Sequence, residues 1–118
     1  MIVRYVEDII GTERDASGEG WKSRRLILAR DGLKYSVHET TLEPNLTLRF
    51  NYTAHRETVY CIQGEGSIQN VRTGETWPLR PGSIYSVGVG DDHIVKTQTQ
   101  MKLVCLFDPP LEGQEHAE

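Results

Sequence analysis

From about residue 24 onward the chain is a succession of short β-type runs, several of them alternating apolar with polar residues: RRLILAR, LKYSVHETT, LTLRFNY, TVYCIQ, GSIQNV, SIYSVGV, HIVKT and MKLVCLF. Between them stand Asp31-Gly32, Glu43-Pro44-Asn45, Gly64-Glu65-Gly66, Thr73-Gly74-Glu75, Arg80-Pro81-Gly82 and Gly90-Asp91-Asp92. These are the residue types that supply positive φ, a fixed φ or a local side-chain hydrogen bond, and they recur at intervals of roughly 8 to 12 residues. That rhythm leaves no room for long helices and predicts an all-β sandwich or barrel. The 118 residues amount to a single domain, predicted over 1–118.

Outside the strand rhythm, YVEDII at residues 5–10 reads as a helix of a turn or two, or equally as an edge strand. Residues 12–20 (TERDASGEG) hold no large apolar side chain and two glycines, which predicts a mobile loop leading into Trp21. The polar stretch 109–118, opened by Pro109-Pro110, cannot continue a central strand and is expected to be a C-terminal tail or lid. Thirteen Lys and Arg against seventeen Asp and Glu leave a formal charge of −4, which excludes a phosphate-neutralising surface and with it nucleic acid as a partner. No apolar run approaches the ~20 residues of a membrane span, and the N-terminus turns acidic before a signal-peptide core forms, so the expected location is cytoplasmic with no membrane partner. In that compartment Cys61 and Cys105, each inside an apolar run, are expected to be buried free thiols.

The stretch from His55 to Gly66 (HRETVYCIQGEG), followed by Pro81-Gly82-Ser83-Ile84-Tyr85 and then His93, carries the chemistry. A Glu before a Gly-x-Gly turn, a Pro-Gly turn opening a strand, and a His closing the next turn resemble the two-motif signature of cupins. These are small jelly-roll-like β-barrels that hold a divalent metal inside. Where the common cupin pattern has two further histidines, this chain has Phe50 and Tyr52, so Glu57 and His93 are the matching ligands. Tyr85 makes a third: its oxygen is a hard donor, and an O/O/N set of Glu57, Tyr85 and His93 favours iron over zinc. Each residue alone has a plainer reading, as a packed aromatic, a strand-end acid or a turn residue. Their joint placement favours a metal site.

A narrower resemblance covers nearly the whole chain in order: MIVR at 1–4, WKSRR at 21–25, VYCIQGEG at 59–66, PGSIY at 81–85, Asp92-His93 and LVCLFDPPL at 103–111. Together these resemble the ectoine synthase family of single-domain cupins. The resemblance implies a homodimer that catalyses an iron-dependent cyclodehydration of the small molecule N-γ-acetyl-L-2,4-diaminobutyrate to the compatible solute ectoine, a defence against osmotic stress. Fe(II) is the implied metal, with other divalent transition ions as substitutes, on Glu57, Tyr85 and His93. The implied substrate pocket is Trp21, Arg25, Thr40, Tyr52, Cys105, Phe107 and Glu115, and Tyr52, Glu115 and His116 are the candidates for moving protons. Arg25 offers a planar fork for the substrate carboxylate, and Trp21 and Phe107 offer walls that hold the chain folded for ring closure. The chain departs from the family at His38, where Asn is common, at Gln63 and Ser67, which replace acids, and in a shorter tail with Glu115 and His116 adjacent. A relative that acts on, or only binds, another small acylated amino acid is the alternative expectation.

Overall fold

Alternation along two central strands sets the architecture. In the computed structural model, which describes residues 1–113, the segment Ser36–Leu42 buries Ser36, His38, Thr40 and Leu42 and turns the residues between them outward. Met101–Asp108 does the same with Met101, Leu103, Cys105 and Phe107. Period-two burial needs a second layer to cover the buried face. In chain order the elements are α1 (Val6–Ile9), β1 (Asp15–Gly18), β2 (Trp21–Ile27), a 3-10 turn (Ala29–Asp31), β3 (Ser36–Leu42), β4 (Thr47–Phe50) and β5 (Arg56–Gln63). Then follow β6 (Gly66–Asn70), β7 (Thr76–Leu79), β8 (Ile84–Val87), β9 (His93–Thr97) and β10 (Met101–Asp108). A six-stranded antiparallel sheet in the order β1-β2-β3-β10-β5-β8 packs on a four-stranded one, β4-β9-β6-β7, as an all-β jelly-roll-like fold. Leu42, Val59, Met101, Leu103 and Phe107 from the first sheet and Phe50, Ile68, Leu79 and Val95 from the second close one core between them.

The glycines of the Gly64-Glu65-Gly66 turn are demanded by packing. A Cβ on Gly64, which also has φ 94°, would run into the backbone of Gln100 and Met101, and one on Gly66 into the carbonyl of Lys96. The β5–β6 turn thus lies directly on the chain around the β9–β10 turn, backbone against backbone.

The segment 12–20 is not a free loop. Asp15–Gly18 forms edge strand β1, paired from Asp15 opposite Arg24 to Gly18 opposite Trp21. It needs no large apolar residue because the backbone ladder and ion pairs hold it: Arg24 Nε lies 3.0 Å from Asp15 Oδ1, and Arg14 reaches Asp31. Asp31 is the hub of this end of the molecule. Its carboxylate accepts from Arg4 (2.8 and 3.1 Å), from Arg14 (3.0 and 3.0 Å) and from the Leu28 N–H (2.9 Å). Burial works to raise the Asp31 pKa, but the bonds from Arg14, Leu28 and Arg4 outweigh it and hold the group well below the usual carboxylate range. A carboxyl depressed in this way contributes stability above its unfolded value of about 4, and the contribution disappears as pH falls through that value and below. Asp31→Asn is therefore expected to cost about 2 kcal/mol at neutral pH and to flatten the acid limb of the stability profile, as read by denaturant melts between pH 3 and 7.

The C-terminal segment is fastened down as far as it is described. His55 Nδ1 lies 2.9 Å from the Pro109 carbonyl. The Leu111 N–H donates to Ser36 Oγ (3.0 Å) and the Leu111 carbonyl accepts from the Ala29 N–H (2.9 Å), while the Leu111 side chain is buried. The Arg25 guanidinium donates to the Gly113 carbonyl.

Candidate functional site

A barrel of this size built only for stability would line its interior with aliphatic side chains. This one buries Ser23, Arg25, Ser36, His38, Thr40, Glu57, His93 and Thr97, each at most 6% exposed. Burying such groups costs free energy unless each is paired, so their concentration on the inner faces marks a place where function overrides core packing.

The register brings most of them onto one wall. Across β2, β3, β10 and β5, Arg25 stands opposite His38, His38 opposite Cys105 and Cys105 opposite Val59. One rung along, Ser23 faces Thr40 and Thr40 faces Leu103, and at the other side Phe107 faces Glu57. The expected pocket residues Arg25, Thr40, Cys105 and Phe107 therefore share this inner wall. Trp21 begins β2, half-buried, with its indole against Gly18, where any Cβ would collide with the ring. Glu115 and His116 lie outside the described residues.

Glu57 and Tyr85 come from neighbouring strands of the large sheet, β5 and β8, and His93 opens β9 in the small one. The three are brought together around Tyr52. Its hydroxyl donates to Glu57 Oε1 (2.9 Å), and its ring lies 5.7 Å from that of His93. The Tyr85 and His93 rings are 6.2 Å apart, and Tyr85 and Glu57 line the same interior cavity of ≈ 30 Å³. Among the described residues no three His, Cys, Asp or Glu side chains converge, so a metal centre here needs the Tyr85 oxygen beside Glu57 and His93.

The histidine is prepared for such a role. His93 Nδ1 lies 2.7 Å from the Asp91 carbonyl oxygen, which can only accept, so Nδ1 carries the proton. Nε2 is buried and has no hydrogen-bond partner among the described residues, and in this tautomer it carries the lone pair. A backbone carbonyl fixing the tautomer behind an unpaired, inward nitrogen is the outer-shell arrangement of a metal-ligating histidine. The oxygen donors carry the opposite strain. Burial pushes the Glu57 carboxyl up to about 7, with hydrogen bonding from Tyr52 and Cys105 pulling the other way. Burial, and then the Glu57 charge, push both Tyr85 and Cys105 well above their ordinary values. Burial raises Tyr52 also, reinforced by Glu57, so the Tyr52 phenol stays protonated as a donor. A cation among these groups would relieve all of them at once, so the donor set fits a metal with mixed oxygen and nitrogen preference.

Two contributors were not visible from residue types. The Asp91 carbonyl that sets the tautomer is a main-chain group with no sequence signature. Ser36 joins the wall to the tail, its Oγ lying 2.9 Å from His38 Nε2 while it accepts from Leu111. Its inward phase on β3 was readable, but the contact with residue 111 was not.

Trp21→Ala is expected to raise KM for the substrate about 10- to 100-fold with metal content unchanged, since it removes an aromatic wall and no ligand. Steady-state kinetics beside elemental analysis checks this, and loss of metal would make Trp21 a structural support instead.

Comparison with known proteins shows the family. The family described as Ectoine synthase matches residues 1–118. L-ectoine synthase from Halalkalibacterium halodurans is 44% identical over 115 residues, covering 98% of this chain and 89% of the relative. L-ectoine synthase from Nocardia farcinica is 42% identical over 115 residues, covering 98% and 88%. The crystal structure of ectoine synthase from P. lautus superposes with a TM-score of 0.91 at 41% identity, covering 96% of this chain and 81% of that one. A Cupin_2 domain of an XRE family transcriptional regulator from Enterobacter cloacae shares the fold alone, with a TM-score of 0.62 at 20% identity, covering 77% of this chain and 98% of that one. With the profile spanning every residue and full-length relatives above 40% identity, the chain belongs to the ectoine synthase family.

Proposed function

We propose that this protein is an L-ectoine synthase that closes N-γ-acetyl-L-2,4-diaminobutyrate into ectoine with loss of water. Fe(II) is held by Glu57, Tyr85 and His93 Nε2, other divalent transition ions serving as substitutes. The observation that carries the reading is His93 Nε2, buried and without a hydrogen-bond partner among the described residues, in a chain of this family. When bound, the metal supplies Lewis acidity toward the acetamide carbonyl, which is otherwise a poor electrophile.

The protein's own side chains handle the rest. The α-ammonium nitrogen must give up two protons while the acetamide oxygen gains two and leaves as water, so the reaction balances with no net proton taken from solvent. Tyr52 is poised for the donating half: its hydroxyl is protonated, buried and already engaged with Glu57 (2.9 Å). The accepting half falls to a different group, for which Glu115 and His116 are our candidates. Arg25, 3% exposed on the inner wall, is the partner for the substrate carboxylate, with Trp21 and Phe107 holding the backbone of the substrate bent. Thr40 and Cys105, 3.6 Å apart from Oγ1 to Sγ, form the adjoining wall. The tail fastened over Ser36 and Arg25 keeps bulk water from competing with the α-amine for the carbonyl. No helix among the described residues is long and apolar enough to cross a membrane. We place the enzyme in the cytoplasm as a homodimer.

Proton NMR of the iron-loaded protein with N-γ-acetyl-L-2,4-diaminobutyrate tests the assignment. Ectoine should accumulate, stop when iron is removed by a chelator, and fail to form any cyclic product from the analogue without an α-amine. Folded, iron-loaded protein that leaves the substrate unchanged would overturn the proposal in favour of another small acylated amino acid as ligand.

A further inference from the structure

His38 is a second buried histidine, 1% exposed on the inner wall and not one of the metal donors. The family commonly has Asn in this place, which shares hydrogen bonds but takes up no proton, whereas an imidazole titrates near neutral pH. Its seat is defined from three sides. Across β2 and β3 it stands opposite Arg25, and across β3 and β10 opposite Cys105. Its Nε2 lies 2.9 Å from Ser36 Oγ, which accepts the Leu111 N–H and has a second lone pair to accept from a protonated ring. Its ring meets Phe107 edge-on at 5.5 Å, and Phe107 meets Tyr52 in the same way at 5.5 Å, so His38 and Tyr52 flank one aromatic side chain. The charged or titratable groups that face His38 among the described residues are Arg25 on β2, the Cys105 thiol on β10 and, beyond Phe107, Glu57 on β5.

We propose that His38 is the base that takes the first proton from the substrate's α-ammonium. This rests on the substrate reading above and gives the accepting half to a residue of the inner wall rather than to the tail. The substrate's own connectivity decides the place. Its α-ammonium and its carboxylate sit on the same carbon, so a carboxylate held by Arg25 brings the α-nitrogen to the residues beside Arg25. Those are Ser23, Thr40 and His38, and of the three only the imidazole accepts a proton at neutral pH. Burial and the Arg25 guanidinium both disfavour an imidazolium, which keeps the ring neutral and ready to accept, and the substrate carboxylate offsets the guanidinium charge when it binds. One N–H bond of the ammonium breaks, its electron pair stays on nitrogen, and the proton passes to the ring. The freed amine attacks the acetamide carbon, and the imidazolium returns its proton to the oxygen that leaves as water.

The test follows kcat/KM for ectoine formation from pH 6 to 9.5 in iron-loaded wild type, His38→Asn and His38→Gln. Both variants should keep the wild-type iron content, because no ligand is touched. Each should lose about tenfold in kcat/KM at pH 7, and the loss should shrink toward the alkaline end, where solvent has already taken the proton from much of the substrate. A merely structural role would lower both ends of the profile alike. A second readout needs no turnover. In metal-stripped wild type, the NMR titration midpoint of the His38 Cε1–H should be lower with N-γ-acetyl-L-2,4-diaminobutyrate bound than with the analogue that lacks the α-amine, because a second cation then sits beside the ring. A loss that is the same at every pH, no loss at all, or equal midpoints with the two compounds would overturn the proposal and return the role to Glu115 or His116. Iron-loaded wild type that forms no ectoine would instead overturn the function reading on which the proposal depends.

Discussion

Replacing His93 with glutamine is expected to strip the protein of most of its iron and to lower kcat/KM for ring closure by about a thousandfold or more, while the fold survives. Glutamine is the better probe than alanine. The imidazole packs 5.5 Å from the Phe50 ring and 5.7 Å from Tyr52, and emptying that space would confuse ligand loss with a cavity. Among the described residues Nε2 is the ring nitrogen without a hydrogen-bond partner, because Nδ1 is spent on the Asp91 carbonyl. Glutamine keeps volume and polarity but replaces the imidazole donor. Elemental analysis with circular dichroism on the same preparation separates the possibilities, and a folded variant that retains full iron would show that His93 is no ligand.

Glu57→Gln should act in two directions at once. It removes the anionic ligand, so iron content and turnover should fall about as far as in the His93 variant. It should also make the metal-stripped protein more stable at pH 8, on the order of 1–2 kcal/mol, because the wild type must bury an ionised carboxylate there. The sign follows from the pKa. Burial raises the folded carboxyl to about 7, so its contribution is fully present below the unfolded value and is lost as pH rises toward and through 7. Thermal melts of stripped wild type should thus worsen from pH 5 to 8 relative to Glu57→Gln, and a stripped variant less stable than wild type at pH 8 would contradict the account. Loss of function with gain of stability is the mark of a site kept against the preference of the core.

How much of this could be read beforehand depended on which physical signal each part leaves in the sequence. Strands half-buried against a core leave alternation, and LKYSVHETT and MKLVCLF led directly to β3 and β10. Edge strands leave little. β1 is held by its ladder and by ions, and β7 (TWPL) passed unnoticed because it is four residues long and contains Pro78, which an edge strand tolerates. RRLILAR ran past its true end, since β2 stops at Ile27 and Ala29–Asp31 turns to place the Asp31 carboxylate.

The same division holds at the site. Glu57 and His93 stand out through the resemblance to the cupin motifs, and Tyr85 through its donor chemistry; the structure bonds Glu57 to Tyr52 and sets the His93 ring beside those of Tyr52 and Tyr85. The tautomer of His93 depends on a carbonyl, and the bond from Tyr52 to Glu57 on how the β4–β5 connection folds back. Neither leaves a residue pattern. His38 was conspicuous as a residue, but only its seat beside Ser36 and against the Phe107 ring (5.5 Å) shows it embedded in the inner wall next to the tail.

An anomalous difference map at the iron edge, from crystals of the iron-loaded protein, tests the central claim most directly. The account predicts one peak inside the barrel, bonded to the Glu57 carboxylate, the Tyr85 oxygen and His93 Nε2, with Nδ1 still on the Asp91 carbonyl. A peak bound elsewhere, or one that reaches His93 through Nδ1, would contradict it.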